Sequence, residues 1–293
     1  MAVLSIQSHV VYGYAGNTAA VFPLQRLGRE VWAINTVEFS NHTGYGAWRG
    51  RVLGAELAEE LVTGLEERGA LPRCEAVLSG YLGDASVGAA IIGAVRRVRR
   101  AAPQALYCCD PVMGDVGRGF YVKPDIPAMF KNDLIPLADI ITPNQFEIEA
   151  LTGIDTGTID NARKAITMLH EKGPGIVLVT SYREKNESGG HIGMLASDKT
   201  GMYRISTPEL PIAAGMAGSG DLTASVFLSR YLETQDARKT LELCTASVYG
   251  IIEASFRAQG GGHNSGSGPM ELHIIGAQQE LVSASRVFEA VKI

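Results

Sequence analysis

The sequence predicts an α/β fold with a central, mostly parallel sheet, helices on both faces and an antiparallel hairpin at one edge. Two observations carry this prediction. Short apolar runs alternate with longer segments of helical period from the start of the chain to Ser181, which is the pattern of βαβ units. Two further runs, separated only by DKTG, then break the alternation and predict the hairpin.

The apolar runs that precede the hairpin are predicted to be buried strands, because both faces of a parallel sheet are covered by helices. These runs are Ala2–Ile6, Glu30–Val37, Glu75–Gly80, Ala105–Asp110, Ala138–Pro143 and Gly175–Ser181. The two hairpin strands are GHIGMLAS, Gly190–Ser197, and GMYRIST, Gly201–Thr207.

Segments of helical period lie between and after these strands. They are Asn17–Leu27, Ala55–Arg68, Ser86–Arg100, Gln145–Leu151, Asn161–Lys172, Asp221–Leu232 and Ala237–Phe256. The glycine- and serine-rich run Ala258–Pro269 is predicted to be a flexible linker, and ordered patterning resumes after it. Neither an internal repeat nor a domain boundary stands out, so one domain is predicted over residues 1–293.

The composition is that of a globular protein with a sizeable core. Hydrophobic residues make up 46% of the 293 residues and charged residues 19%, which argues against extensive disorder. The net charge of −5 argues against a nucleic-acid-binding protein, whose affinity depends on clustered basic residues. The basic cluster at Arg96–Arg100 ends a predicted helix and is expected to complement the helix dipole.

The sequence shows no secretion signal and no apolar run long enough to span a membrane. Its four cysteines, Cys74, Cys108, Cys109 and Cys244, match no zinc or redox spacing. They are predicted to be buried, reduced thiols, and the protein is predicted to be cytoplasmic.

Polar residues follow the predicted strands. Ligands of open α/β sheets bind at the carboxyl ends of the strands, so these residues predict a polar cleft along one rim of the sheet. They are Gln7–His9, Glu38–Gly46, Gly80–Tyr81, Asp110–Asp115, Thr142–Glu147 and Thr180–Ser181.

The stretch GSGD, Gly218–Asp221, predicts an anion site. Its glycine-rich turn can direct backbone N–H groups to one point, and the helix predicted to begin near Asp221 adds its positive end. A carboxylate kept ionised beside such a site can accept a proton late in phosphoryl transfer. The alternative is that Asp221 is only the N-cap of the helix. No Walker A loop and no G-x-G-x-x-G turn is present in the sequence.

Carboxylates elsewhere predict a magnesium site. Asp110 ends a strand, Asp115 follows in a glycine-rich loop, and Asn144 and Glu147 start a helix three residues apart. Oxygen ligands of this kind suit Mg²⁺ that bridges to nucleotide phosphates. The alternatives are a capping arrangement for Asn144 and Glu147, and a turn before Pro111 for Asp110.

The stretch NTVEFSNHTGYGAW mixes aromatic faces with hydrogen-bonding groups. Phe39, His42, Thr43 and Tyr45 suit a planar, polar heteroaromatic ligand. The alternatives are a structural histidine and a plain flexible loop.

Taken together, these motifs resemble one family. SIQSHVVYGYAGNTAA, SNHTGYG, LSGYLGD, CDPVMGD, ITPNQFEIEALTG and GSGDLTAS are similar to the motifs of pyridoxal kinases, within the ribokinase-like superfamily, from Leu4 to about Phe256. SNHTGYG with DPVMGD is specific to pyridoxal kinases, whereas the GSGD element is shared across the superfamily. The chain departs from common family residues at Ser219, Thr223 and Glu38.

The resemblance implies a ribokinase-like kinase that phosphorylates the 5′-hydroxymethyl group of pyridoxal with ATP, and whose anion site is built by Gly218, Ser219 and Gly220. Asp221 would be the general base. The implied pyridoxal site contains Ser8, Phe39, His42, Thr43, Gly44, Tyr81 and Asp221. The implied ATP site contains Asp110, Asp115, Thr142, Asn144, Glu147, Thr180, Ser181, Thr207, Pro208, Glu209, Leu210, Gly218 and Gly220.

The resemblance also implies Mg²⁺ held near Asp110 and Glu147, a monovalent cation such as K⁺, and a cytosolic homodimer. Two other functions remain open at this point. A kinase of hydroxymethylpyrimidine or of a sugar is disfavoured by SNHTGYG, and a protein that binds pyridoxal phosphate without turnover needs no base at Asp221. An NAD-dependent oxidoreductase lacks its glycine fingerprint.

Overall fold

The computed structural model describes residues 1–185, 189–212, 215–260 and 268–293. The strands of its main sheet are Ala2–Tyr12 (β1), Glu30–Asn41 (β2), Gly50–Val52 (β3), Cys74–Ser79 (β4), Leu106–Cys109 (β5), Ile140–Ile141 (β8), Ile176–Tyr182 (β9), His191–Asp198 (β10), Gly201–Pro208 (β11) and Val291–Lys292 (β12). Their order in the sheet is β12-β11-β10-β9-β8-β5-β4-β1-β2-β3. A small separate hairpin is formed by Gly114–Asp115 (β6) and Gly119–Phe120 (β7).

The centre of the main sheet is parallel and its edges are antiparallel. All neighbours from β2 through β1, β4, β5 and β8 to β9 pair in parallel. The hairpin of β10 and β11 pairs antiparallel, as predicted, and the C-terminal β12 covers its outer side. At the opposite edge the short β3 pairs antiparallel with β2, which the sequence did not indicate. The predicted fold class is confirmed.

Helices cover both faces of this sheet. They are Asn17–Arg26 (α1), Ala55–Glu67 (α2), Ala85–Ala101 (α3), Ile126–Met129 (α4), Gln145–Thr152 (α5), Ile159–Glu171 (α6), Ser219–Thr234 (α7), Ala237–Ala258 (α8) and Gln279–Val282 (α9). One core cluster packs α2, α3, α5 and α6 on one face, and a second packs α1, α7 and α8 on the other.

Successive residues along a strand contribute alternately to the two core clusters. Leu4 and Ile6 enter the first cluster and Val3 the second, while Cys109 and Cys108 divide in the same way. Successive side chains of a strand point to opposite faces, so a sheet covered on both sides needs continuous apolar strands. All four cysteines are free and buried, as predicted.

Two predicted strand ends are wrong because the strands continue further. Gln7–His9 lie within β1 and not after it, and Glu38–Asn41 lie within β2. Pairing between β1 and β2 continues to Tyr12 through a register shift between Gln7 and His9. Such a bulge redirects side chains without ending the strand, and Ser8 lines the cleft from within β1.

The start of α7 also differs from the prediction. The helix begins at Ser219, and Gly218 is its N-cap with φ 75°. Asp221 is therefore the third helical residue, so the expectation that it begins or caps the helix is wrong. Glycine adopts this left-handed conformation without steric cost, which allows the chain to enter the helix two residues earlier.

The predicted loop at Ala258–Pro269 falls largely outside the described residues, which omit 261–267, while Ala258 belongs to α8. Single-domain organisation stays a prediction; β12, near the C-terminus, belongs to the same sheet as β1. Within the described residues, no helix has the length and apolarity needed to cross a membrane.

Candidate active site

A cavity of about 710 Å³ lies along the carboxyl edge of the parallel strands. With two exceptions, it is lined by every residue that the sequence assigned to catalysis or binding: Ser8, Phe39, His42, Thr43, Tyr81, Asp110, Asp115, Thr142, Asn144, Glu147, Thr180, Ser181, Thr207, Pro208, Glu209, Leu210, Gly218, Ser219, Gly220 and Asp221. The exceptions are Gly44, whose N–H donates a hydrogen bond to His42 Nδ1 (3.1 Å), and Tyr45, whose hydroxyl donates to Glu271 Oε1 (2.7 Å).

The β1–β2 side of the cavity carries the residues predicted to bind a heteroaromatic ring. His42 precedes the 3₁₀ turn Thr43–Tyr45, and its Nδ1 accepts the Gly44 N–H, which leaves Nε2 as the protonated nitrogen of the neutral ring. Burial, followed by the charge of Arg118, lowers the pKa of His42, so the neutral form is favoured. Phe39 packs its ring against Trp48. Aromatic surface and neutral hydrogen-bonding groups therefore meet at this end.

The Gly218–Gly220 turn lies at the centre of the cavity, against the turn before α1. A Cβ added at Gly218 would be 2.4 Å from Tyr14 O, and Ser219 Oγ donates to Met216 O (3.1 Å). The N-terminal N–H groups of α7 have no intrahelical acceptors and carry the positive end of the helix dipole. This turn therefore has the geometry predicted for an anion site, with Asp221 in the first turn of the same helix.

Asp221 is less acidic than the sequence led us to expect. Burial raises its pKa to about 6, and hydrogen bonding from the backbone of Gly16 and of Asp221 itself opposes this rise. Desolvation therefore outweighs the helix N-terminus, which was expected to keep the group fully ionised. A carboxylate with such a pKa is a stronger base than an ordinary aspartate.

Asp110 follows β5 and faces Asp221 across the anion turn. Its Oδ1 accepts a hydrogen bond from Thr142 Oγ1 (2.9 Å), while Oδ2 is buried without a hydrogen-bond partner among the described residues. That oxygen lies 4.0 Å from the position of a Cβ built on Gly220. Burial, followed by the charge of Asp221, raises the pKa of Asp110. An orphaned carboxylate oxygen beside an anion site suits a cation.

Asn144 and Glu147 form the capping box that the sequence left as an alternative. Glu147 N–H donates to Asn144 Oδ1 (2.9 Å), and Asn144 N–H donates to Glu147 Oε2 (2.8 Å). Glu147 Oε1 also accepts the N–H of Met113, and Asn144 Nδ2 donates to Asp115 Oδ1 (3.1 Å). The capping box thus fixes the loop that carries Asp115, and the carboxylates of Asp115 and Glu147 both line the cavity.

These carboxylates fit a hydrated divalent cation. In the described part of the chain, no three His, Cys, Asp or Glu side chains converge closely enough to enclose a metal. Mg²⁺ rarely needs such a cage, because it retains several waters and binds one or two carboxylates together with phosphate oxygens. The unpartnered oxygen of Asp110 and the buried Glu147, whose pKa is raised by burial and then by Asp110, match this requirement.

The side of the cavity formed by β8–β11 carries Thr180, Ser181 and the Thr207–Leu210 segment. Ser181 has φ 54°, an unusual conformation for a residue other than glycine, and such strain often occurs at binding sites. Beyond these residues lies a largely apolar wall from β10, β11 and α8, formed by Ile192, Met194, Ile205, Thr245, Val248, Tyr249 and Ile252.

Sequence reasoning missed three parts of this site. The residues of α8 follow an apolar helical pattern that is indistinguishable from core until the tertiary contacts are known. Arg118, in the turn between β6 and β7, and Tyr121, directly after β7, also line the cavity, but local sequence does not distinguish them from ordinary surface residues. Gly16 was missed as well, although its position in the first βα turn was a usable indication.

Gly16 allows an unusually close contact beneath the cavity. It has φ 58°, and an added Cβ would be 2.1 Å from Ser8 O and 2.3 Å from Ser8 Oγ. Gly28 has φ 84°, but a Cβ there would have no described heavy atom within 4 Å. Comparing substitutions at the two positions therefore separates the effect of a positive φ from the effect of a steric clash.

We predict that Gly16→Ala destabilises the protein more than Gly28→Ala. Both glycines have a positive φ, which an L-residue adopts only at a cost in free energy, and only Gly16→Ala adds a clash with backbone atoms. Urea unfolding followed by circular dichroism measures both free energies. Equal losses at the two positions would contradict the packing described for Gly16.

Comparison with known proteins agrees with this geometry. The family model described as Phosphomethylpyrimidine kinase matches residues 72–271. A relative from Rubrobacter xylanophilus, named pyridoxal kinase PdxY, is 50% identical over 282 residues, covering 96% of this chain and 93% of its own. A relative of the same name from Deinococcus radiodurans is 46% identical, covering 99% and 96%.

Solved structures agree with these relatives. Pyridoxal kinase from Leishmania donovani in complex with ADP and pyridoxamine superposes with a TM-score of 0.90 at 30% identity, covering 99% of both chains. The same enzyme with ADP and pyridoxine gives a TM-score of 0.90 at 30% identity, covering 99% of this chain and 98% of that one. The chain therefore belongs to the pyridoxal kinase family, with the ribokinase-like fold.

Proposed function

We propose that this protein transfers the γ-phosphoryl group of ATP to the 5′-hydroxymethyl group of pyridoxal, giving pyridoxal 5′-phosphate and ADP. One observation carries the proposal. Asp221 and the Gly218–Gly220 turn lie in a single cavity, between a heteroaromatic site on the β1–β2 side and carboxylates at the ends of β5 and β8. This common location supports a site in which an alcohol, a base, an anion hole and a metal-nucleotide complex meet, as in-line transfer needs.

The alcohol lies beside Asp221 in this proposal. Ser8 and Thr43 hydrogen-bond the substituents of the pyridine ring, and Phe39, His42 and Tyr81 surround it. Ser8 is almost fully buried, so its hydroxyl contributes a strong and directional contact. Positioning is the larger part of catalysis in phosphoryl transfer, because the transition state is loose.

Transfer forms a bond between the substrate oxygen and the γ-phosphorus and breaks the bond between that phosphorus and the bridging oxygen of ADP. Asp221 takes the proton of the hydroxyl group as the new bond forms. The N–H groups of Gly218–Gly220 stabilise the charge on the transferring oxygens. The raised pKa of Asp221 strengthens it as a base and is consistent with this role.

Asp110 and Glu147 are the residues proposed to hold Mg²⁺, with Asp115 and Asn144 beside them. When bound, the ion neutralises phosphate charge and orients the nucleotide. The apolar wall that includes Val248 and Ile252 is proposed to contact the adenine ring, and Thr207–Leu210 to border the nucleotide. A role for a monovalent cation stays a prediction from the family resemblance.

The proposed homodimer has a candidate surface near the β3 edge. Apolar side chains are exposed there on the end of β1, in the loop before β3, on β3 and on α2: Val11, Tyr12, Trp48, Val52, Leu57 and Leu61. An edge strand beside exposed apolar surface favours association with a second chain. Light scattering coupled to gel filtration gives the mass that tests this assignment.

A substrate panel tests the proposed reaction. Purified protein is incubated with ATP and Mg²⁺, and ADP release is measured with pyridoxal, pyridoxine, pyridoxamine, hydroxymethylpyrimidine and ribose. We expect turnover with pyridoxal. Turnover with hydroxymethylpyrimidine and none with the three vitamers would replace the assignment by the activity that the family model describes.

The variant Asp221→Asn tests the proposed base. We expect kcat to fall by about 10²–10⁴-fold, the usual contribution of a positioned general base, with little change in the KM for ATP. Asp125→Asn, at an exposed position, is the matched control for loss of one charge. Normal turnover by Asp221→Asn would exclude Asp221 as the base.

The pH dependence gives an independent measure of the same group. Asp221 must be ionised to accept a proton, and its pKa is raised to about 6, so kcat/KM should fall as the pH drops through about 6. An unperturbed aspartate would keep activity constant to about pH 4. A flat profile down to that pH would contradict the burial argument for Asp221.

A further inference from the structure

Glu271 joins two loops of the cavity through one carboxylate. Its Oε1 accepts a hydrogen bond from the Tyr45 hydroxyl (2.7 Å), and its Oε2 accepts the backbone N–H of Tyr14 (2.9 Å). Burial, followed by hydrogen bonding to Glu271, raises the pKa of Tyr45, so its hydroxyl stays protonated and donates. Bonds to an ionised acceptor are stronger than neutral ones.

Two glycines leave room for the side chains of Glu271 and Tyr45. Gly13 has φ 82°, and an added Cβ would be 2.3 Å from Glu271 Oε1. On the other side, a Cβ added at Gly268 would be 2.4 Å from the ring of Tyr45. Neither position has room for a side chain, so the contacts of Glu271 and Tyr45 depend on glycine at both sites.

The backbone next to Glu271 is tied to the chain leading into the anion turn. Met270 N–H donates to Gly215 O (3.0 Å), and Ala217 N–H donates to Met270 O (3.1 Å). Met270 and Glu271 therefore connect three parts of the cavity: the turn before α1, the Thr43–Tyr45 turn and the entry to Gly218. Pro269, just before them, lines the cavity itself.

The Thr43–Tyr45 turn needs such an anchor because it buries none of its residues. Packing contributes little to the position of an exposed turn, so directional hydrogen bonds determine where it lies. The Tyr45–Glu271 bond links this turn, which presents Thr43 and the preceding His42 to the cavity, to the turn that packs against Gly218.

We propose that Glu271 is a positioning residue for the alcohol substrate, which holds the Thr43–Tyr45 turn at a fixed distance from the anion turn. This role rests on the proposed function, because it assumes that His42 and Thr43 contact the alcohol. Glu271 does not touch the reacting atoms; it acts through Tyr45 and Tyr14.

Three variants test this role: Tyr45→Phe, Glu271→Gln and the double variant. Phenylalanine keeps the ring but lacks the donor, and glutamine offers one acceptor oxygen where the carboxylate offers two. Steady-state kinetics give the KM for pyridoxal and for ATP, and thermal unfolding gives stability. Glu280→Gln is the matched control: Glu280 lies in the same C-terminal region and accepts the N–H of Ser285 (2.7 Å), but does not line the cavity.

We expect Glu271→Gln and Tyr45→Phe each to raise the KM for pyridoxal about tenfold, the size of one lost charge-assisted hydrogen bond, and to change the KM for ATP less than about twofold. The double variant should be no worse than the more affected single variant, since both remove the same link. Glu280→Gln should leave the KM for pyridoxal and the KM for ATP unchanged.

Two outcomes would overturn the role of Glu271. One is a lowered unfolding temperature in Glu271→Gln with an unchanged KM for pyridoxal. The other is a double variant whose effect equals the product of the single effects, which would mean that Tyr45 and Glu271 act independently. The wild-type protein separates this test from the larger proposal: absence of pyridoxal turnover in wild type would refute the proposed function itself.

Discussion

The burial of like-charged carboxylates beside a helix N-terminus is the constraint on which this site depends. Asp110 follows β5 and Asp221 lies in the first turn of α7; desolvation raises the pKa of both, and the charge of Asp221 raises that of Asp110 further. Two desolvated acids of this kind are costly unless a cation or a set of N–H donors stabilises them. The fold provides the donors at Gly218–Gly220, and the unpartnered oxygen of Asp110 suits a cation.

Close backbone approach is the second constraint, and it depends on glycine. The turn before α1 packs against Ser8 at Gly16, and Gly218 packs against Tyr14 O of the same turn, with each glycine at positive φ. This double contact holds the turn before α1 between Ser8 and the Gly218–Gly220 turn. Glu271 extends the arrangement to the Thr43–Tyr45 turn, so one connected set of loops lies beside the cavity.

The sequence predicted most of the fold because both faces of the sheet are covered. Continuous apolar strands such as β1 and β9, and helices with clear apolar period such as α3 and α6, are recognisable without tertiary information. Errors occurred at the ends of elements. Ser8, for example, suggested a loop because it is polar, although it lies within β1 and lines the cavity, since local polarity alone does not show which side of a strand meets solvent.

The sequence by itself determined the residue types of the site: the GSGD turn, the carboxylates Asp110 and Glu147, and the heteroaromatic loop around His42. These groups are identifiable because each occurs near the end of a predicted strand or helix, within a recognisable sequence motif. Only the tertiary structure shows the burial that raises the pKa of Asp221 and the two hydrogen bonds of Glu271. A pKa depends on burial, and the Tyr14 and Tyr45 contacts of Glu271 join residues that are 257 and 226 positions apart, so neither is encoded in local sequence.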